Sequence, residues 1–119
     1  MIELTKAQEE RAQRLHKKAI VIDTHCDTLM AYLPQRGRPK RSLGERSEHG
    51  HIDLPRMIDG GVTCQTFAMY TGNRPIVPDA TLKALKMTDV FYEGIEANDD
   101  IVAVTSADEI VAAKKAGKT

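Results

Sequence analysis

The chain has 119 residues, enough for one small domain. Lysine plus arginine balances aspartate plus glutamate at 17 each, so the chain as a whole is neither a polybasic nucleic-acid binder nor an acidic tail. Two cysteines, Cys26 and Cys64, are too few for a disulfide scaffold or a thiolate zinc knot, and the lack of tryptophan argues against a base-stacking platform.

The first ten residues are charged almost from the start and hold no apolar stretch of the kind a secretory signal needs. Nowhere does an apolar run approach the ~18–20 residues of a membrane span. The expectation is a soluble, cytoplasmic protein with both cysteines as free thiols. Thr5-Lys6-Ala7-Gln8 fits a capping box, and no Gly or Pro follows up to Lys18, so residues 6–18 read as a largely exposed helix. Ala19-Ile20-Val21-Ile22-Asp23 is short, apolar and β-branched, the pattern of a parallel strand buried on both faces. It opens directly into the polar Thr24-His25-Cys26-Asp27.

Residues 34–50 carry two prolines, three glycines and a cluster of basic residues, and read as a long exposed loop. Asp53 is a candidate N-cap for a short helix with Pro55 in its first turn and Gly60 ending it in the left-handed conformation. Residues 62–70 are rich in strand formers. After a loop from Thr71 to Pro78, Asp79 is a second candidate N-cap. From there to Asn98, Leu82, Leu85, Phe91, Tyr92 and Ile95 cover roughly half a helical wheel. Ile101–Val104 reads as a short strand, and Ser106-x-x-Glu109 caps a helix running to about Ala116. The order is α/β with parallel strands and crossover helices. A complete eight-unit barrel takes ~250 residues, so the chain is either a small open sheet or the first portion of something larger, and an end just after a helix favours the second.

His25-x-Asp27 is the sharpest chemical signal. Alternation in an extended chain sends i and i+2 to one side, so imidazole and carboxylate can reach one cation, with zinc the best fit. The C-terminal end of a parallel strand is also where barrel active sites are built. A second triplet, His51-Ile52-Asp53 with His49 nearby, is better explained as a loop end with Asp53 used as a cap. Arg36-Gly37-Arg38-Pro39-Lys40-Arg41 resembles the short element that lies in the minor groove of A·T-rich DNA. It is single, and acidic residues follow closely, so a solvated loop accounts for it better. Cys26 lacks a facing histidine and reads with Cys64 as a small buried residue; Met57, Met69 and Met87 read as core.

Three stretches together, Val21 to Leu29, His51 to Val62 and Gln65 to Tyr70, resemble the N-terminal part of the membrane (renal) dipeptidase family of the amidohydrolase superfamily. The helix ending in Asn98-Asp99-Asp100-Ile101 and the following Val104-Thr105-Ser106 fit the same pattern, so the likeness extends over nearly the whole chain from residue 17. The resemblance implies a (β/α)8 TIM-type barrel, of which residues 1–119 would be the N-terminal portion. It also implies a binuclear zinc centre, dipeptide substrates and metal-assisted amide hydrolysis. By resemblance His25 and Asp27 are ligands of one zinc, and no catalytic acid or base lies in this stretch. The bridging glutamate and further histidines come later in the family's chains, so the 119 residues alone are expected to be inactive. The expected partners are dipeptides, with neither nucleic acid nor membrane, and homo-oligomerisation is compatible with the sequence. Other readings are a non-catalytic piece that needs a partner to close its sheet, another metal-dependent amidohydrolase, or a DNA-binding module using the Arg36–Arg41 loop.

Overall fold

Thr5 closes a reciprocal cap on the first helix, α1 (Lys6–Lys18): its hydroxyl accepts from Gln8 N–H, and Gln8 Oε1 accepts from Thr5 N–H at 2.9 Å. The computed structural model describes residues 3–34, 41–72 and 79–119, and in it no residue of α1 is buried. The helix is exposed as its charge pattern predicts. His16 ties it to the body, with Nε2 at 2.8 Å from the Gly60 carbonyl oxygen.

Strand β1 (Ile22–Cys26) pairs in parallel with β2 (Cys64–Phe67), and these are the two strands among the described residues. Two expectations change here. The first strand lies three residues later than the apolar run, and it is not buried on both faces: Ile20 is 43% and Ile22 47% exposed. An apolar run becomes a doubly buried strand only when elements cover both faces. Here β1 has β2 on one edge, and its apolar side chains keep contact with solvent. The run's main contribution is to dock β2, since Val21 O accepts from both Thr63 and Cys64 N–H.

The chain between the strands holds a 3-10 turn (Thr28–Ala31) and helix α2 (Leu54–Asp59). Asp53 caps α2 as expected, accepting from Arg56 N–H at 2.9 Å. The end of α2 differs from expectation by one residue. Gly60 stays right-handed at φ −76°, and Gly61 takes the left-handed conformation at φ 67°. The hydrogen bonds explain why: Gly61 N–H donates to Ile58 O and Val62 N–H to Met57 O, the pair that defines a Schellman ending with its left-handed residue at Gly61. A Cβ at Gly61 would also stand 2.6 Å from His16 Nε2.

Helix α3 (Ala80–Glu96) starts at Asp79, whose side chain makes no capping bond because its backbone is left-handed, at φ 60°. Its buried face is centred on Met87, with Val90, Phe91 and Ile95 packed beside it, whereas Leu82, Leu85 and Tyr92 are exposed. The apolar half-wheel is therefore wider than the surface available to cover it. The core proper comprises Leu29, Tyr32, Leu43, Leu54, Met87 and Ile101, with Phe67 tilted against Phe91 at 5.7 Å between ring centres. Leu43 corrects the reading of 34–50 as an exposed loop. It is buried against Gly94 of α3, where a Cβ would come within 3.2 Å of it, and its carbonyl accepts from Leu54 N–H. Residues 35–40, which carry most of the basic motif, and 73–78 of the second loop lie outside the described residues.

The expected strand at Ile101–Val104 joins no ladder among the described residues. Its backbone is engaged elsewhere: Val102 N–H donates to Thr119 O, and Thr119 N–H to Asp100 O. Helix α4 (Ala107–Lys115) has the predicted capping box, in which Glu109 Oε2 accepts from the N–H groups of Thr105 and Ser106. The described residues thus form a mixed α/β unit around one parallel strand pair. Met87 has no solvent exposure at the centre of the core. Met87→Ala is expected to lower the unfolding free energy by ~2–5 kcal/mol, read as a lower denaturant midpoint with an unchanged slope.

Candidate active site

The ladder between β1 and β2 is irregular where the histidine stands. Asp23 pairs with Gln65 and Cys26 with Phe67, so Thr24 and His25 together oppose the single residue Thr66. This is a bulge, which turns a strand locally and re-aims its side chains. Asp27 then leaves the extended region, at φ −95° and ψ 17°, and precedes the 3-10 turn without capping it. Its carboxylate is free to turn back to the strand end.

The result brings the two predicted residues together. His25 Nε2 and Asp27 Oδ1 are 3.3 Å apart at the C-terminal end of β1. Two ligands of a tetrahedral zinc ion at about 2.0–2.2 Å from the metal stand about 3.3–3.6 Å from each other. Asp27 Oδ1 is shielded from solvent yet has no hydrogen-bond partner among the described residues. The Asp27 side chain is 42% exposed, so solvent screens part of its charge, but the shielded oxygen itself has no donor and a cation beside it would supply a partner. The His25 ring, 69% exposed, keeps an open approach. The donor set present therefore suits a divalent metal. No group of three or more His, Cys, Asp or Glu side chains converges on one point among the described residues, so the pair stands by itself.

Asp27 lines a cleft of about 680 Å³ whose walls include Cys26, Thr28, Arg41, Gly50 and His51. The wall formed by residues 47–52 is fixed from behind. Asp53 is completely buried, and besides capping α2 it accepts from Ser47 N–H at 2.9 Å and from Arg56 Nε at 2.7 Å. Arg56 Nη1 donates to Gly50 O, and the Tyr32 hydroxyl donates to Ile52 O at 2.6 Å. Burial alone would push the Asp53 carboxyl up, but the hydrogen bonds from Ser47 and Arg56 and the Arg56 charge outweigh it and hold it below the usual aspartate range.

His51 also lines the cleft, and among the described residues it joins no group of three or more potential ligands. Burial pushes the Cys26 thiol up, reinforced by the Asp23 and Asp27 carboxylates and opposed by hydrogen bonding with Thr28. Burial does the same to Cys64. Both are free thiols, each only half-buried, and their raised pKa disfavours the nucleophilic thiolate. Two features of the cleft escape sequence reading, Arg41 as a wall residue and Tyr32 beneath it. Only the spacing Asp53-x-x-Arg56, with an aspartate three residues before an arginine, signals the buried pair.

A family model for membrane dipeptidase (Peptidase family M19) matches residues 9–119. No curated protein matches the chain. Among the described residues no helix is long and apolar enough to cross a membrane.

Because the pKa of Asp53 is depressed in the folded state, its contribution to stability is present above the unfolded carboxylate value and is lost as pH falls through the folded one. Asp53→Asn is expected to cost ~3 kcal/mol at neutral pH by leaving Arg56 without its counter-charge. Thermal melts across the acid range should show the variant's stability falling less steeply than wild type below about pH 4. Parallel profiles would contradict this account of the wall.

Proposed function

Since the chain belongs to the membrane dipeptidase family, Peptidase family M19, we propose that it forms part of a zinc-dependent dipeptidase in which His25 and Asp27 are ligands of one zinc. The observation that carries this reading is the 3.3 Å separation of His25 Nε2 and Asp27 Oδ1 at the end of a parallel strand, with Oδ1 otherwise unpartnered among the described residues. The β1–β2 pair with α2 in the connection is consistent with the opening of a TIM-type barrel, whose sites lie at the strands' C-terminal ends. The binuclear centre and the remaining ligands belong to the same proposal.

Zinc held by this pair supplies Lewis acidity toward an amide carbonyl and lowers the pKa of water toward neutrality. The chain's own residues position and shield. Asp27 contributes a negative charge, so its role is electrostatic as well as geometric. His25 is aimed by the bulge and by its own backbone, whose N–H donates to Asp23 Oδ1 at 3.0 Å. Neither acts as the base. The reading takes small peptides as the partner in preference to nucleic acid. Arg41, one of the cations in the basic motif, lies over the Tyr32 ring at 4.8 Å and is drawn into the cleft wall.

The test is zinc binding by the wild-type chain and by His25→Ala and Asp27→Asn, followed calorimetrically with circular dichroism as the control for folding. Loss of either ligand is expected to weaken zinc binding by more than about tenfold while the helical signal is retained. Unchanged affinity in both folded variants would remove His25 and Asp27 from the metal site.

A further inference from the structure

The bulge in β1 leaves a backbone donor to be accounted for. The ladder resumes at Cys26, which pairs with Phe67 and whose carbonyl accepts from Ala68 N–H. A bulge takes its extra residue out of the regular pairing, so that residue's N–H needs an acceptor from elsewhere. His25 N–H has one two residues back, donating to Asp23 Oδ1 at 3.0 Å. Aspartate suits the task, because its short side chain reaches the amide two positions on. From the facing strand, Gln65 Nε2 donates to Asp23 O at 3.4 Å and to Thr66 O at 3.2 Å. One carboxamide thus joins the carbonyl ahead of the bulge to that of the residue opposite it. Asp23 itself is exposed and, among the described residues, pairs with no cation.

We infer that Asp23 is a positioning residue for the metal site proposed above, on which this inference rests: its carboxylate oxygen, as a hydrogen-bond acceptor, fixes the bulge that aims His25. The His25 ring is mostly open to solvent, so packing does not set its direction and the backbone must. Water would take the same N–H if Asp23 were lost, so the fold survives. The bulge would then relax into other conformations, and each one that turns the imidazole away from Asp27 subtracts from metal affinity. The role depends on where the acceptor stands and not on its charge. Asp23 lines the cleft with Asp27, so the competing account is a carboxylate that acts on the cation through space. The two accounts differ in what can replace Asp23. Asparagine offers the same acceptor without the charge, whereas glutamate keeps the charge and carries the acceptor one methylene further out.

The experiment compares Asp23→Asn, Asp23→Ala and Asp23→Glu with wild type in the 119-residue chain, with circular dichroism as the control for folding. Two quantities are read: the exchange rate of the His25 amide proton by NMR in metal-free buffer, and zinc affinity by calorimetry. In Asp23→Asn the amide is expected to stay as protected as in wild type, with zinc affinity within about twofold. In Asp23→Ala and Asp23→Glu the amide should exchange at least about threefold faster, and zinc should bind at least about fivefold more weakly. Asparagine as weak as alanine would favour the charge and overturn the inference. So would unchanged zinc affinity in the alanine and glutamate variants, or an unprotected His25 amide in wild type. Should Asp23→Ala fail to fold, the contrast between asparagine and glutamate decides alone. The two readings fail in different places. Zinc affinity that ignores His25→Ala sinks the metal site, whereas affinity lost in His25→Ala and kept in Asp23→Ala sinks the role of Asp23 alone.

Discussion

The buried carboxylate of Asp53 is the point on which the cleft side of the molecule depends. One side chain with no solvent exposure caps α2, receives the backbone of Ser47 and pairs with Arg56, which reaches on to Gly50. Each bond satisfies a donor that would otherwise be lost to water, and together they hold the carboxylate ionised despite its burial. The consequence is positional. A segment with no regular secondary structure of its own becomes a fixed wall, because its ends are held by a charge that cannot be moved without large cost.

Opposite that wall stands the end of β1, and there the construction is different in kind. The bulge at Thr24 and His25 and the departure of Asp27 from the extended region are local backbone events, and neither needs a buried partner to persist. Side-chain exposure follows the same division. The wall residues are anchored from within, whereas His25 is open to solvent and available to a ligand. Rigidity is placed behind the cleft and accessibility at its mouth, a common arrangement for sites carried on a scaffold.

What could be read from the sequence was whatever is decided within a few residues. The capping boxes at Thr5 and Ser106 and the cap at Asp53 appear as expected, because donor and acceptor sit three positions apart and need no tertiary help. The His25–Asp27 pairing was legible for the same reason, although it is the turn after β1 and not strand alternation that brings the carboxylate back. Burial was less legible, because it belongs to pairs of elements. Nothing in Ala19–Ile22 shows that its side chains lack cover, and nothing around Leu43 shows that Gly94 leaves room for it. Gly60 and Gly61 are indistinguishable as letters; only the carbonyls of Met57 and Ile58 decide which is left-handed. Arg41 was read by its neighbours in sequence as part of a basic run, while its environment is set by Tyr32, nine residues earlier, and Gly50, nine later.

The bulge in β1 also sets two selective pressures against each other. Removing one residue at Thr24 would restore unbroken pairing with β2 and add a regular rung to a ladder that is short by any standard. The same deletion would straighten the strand at His25 and remove the local turn by which the bulge aims its side chain. A search for more stable variants that tolerates deletions would therefore be drawn toward a straighter strand and away from the paired imidazole and carboxylate. The extra residue persists at the expense of the ladder, and any engineering of this strand has to treat its length as a feature of the chemistry.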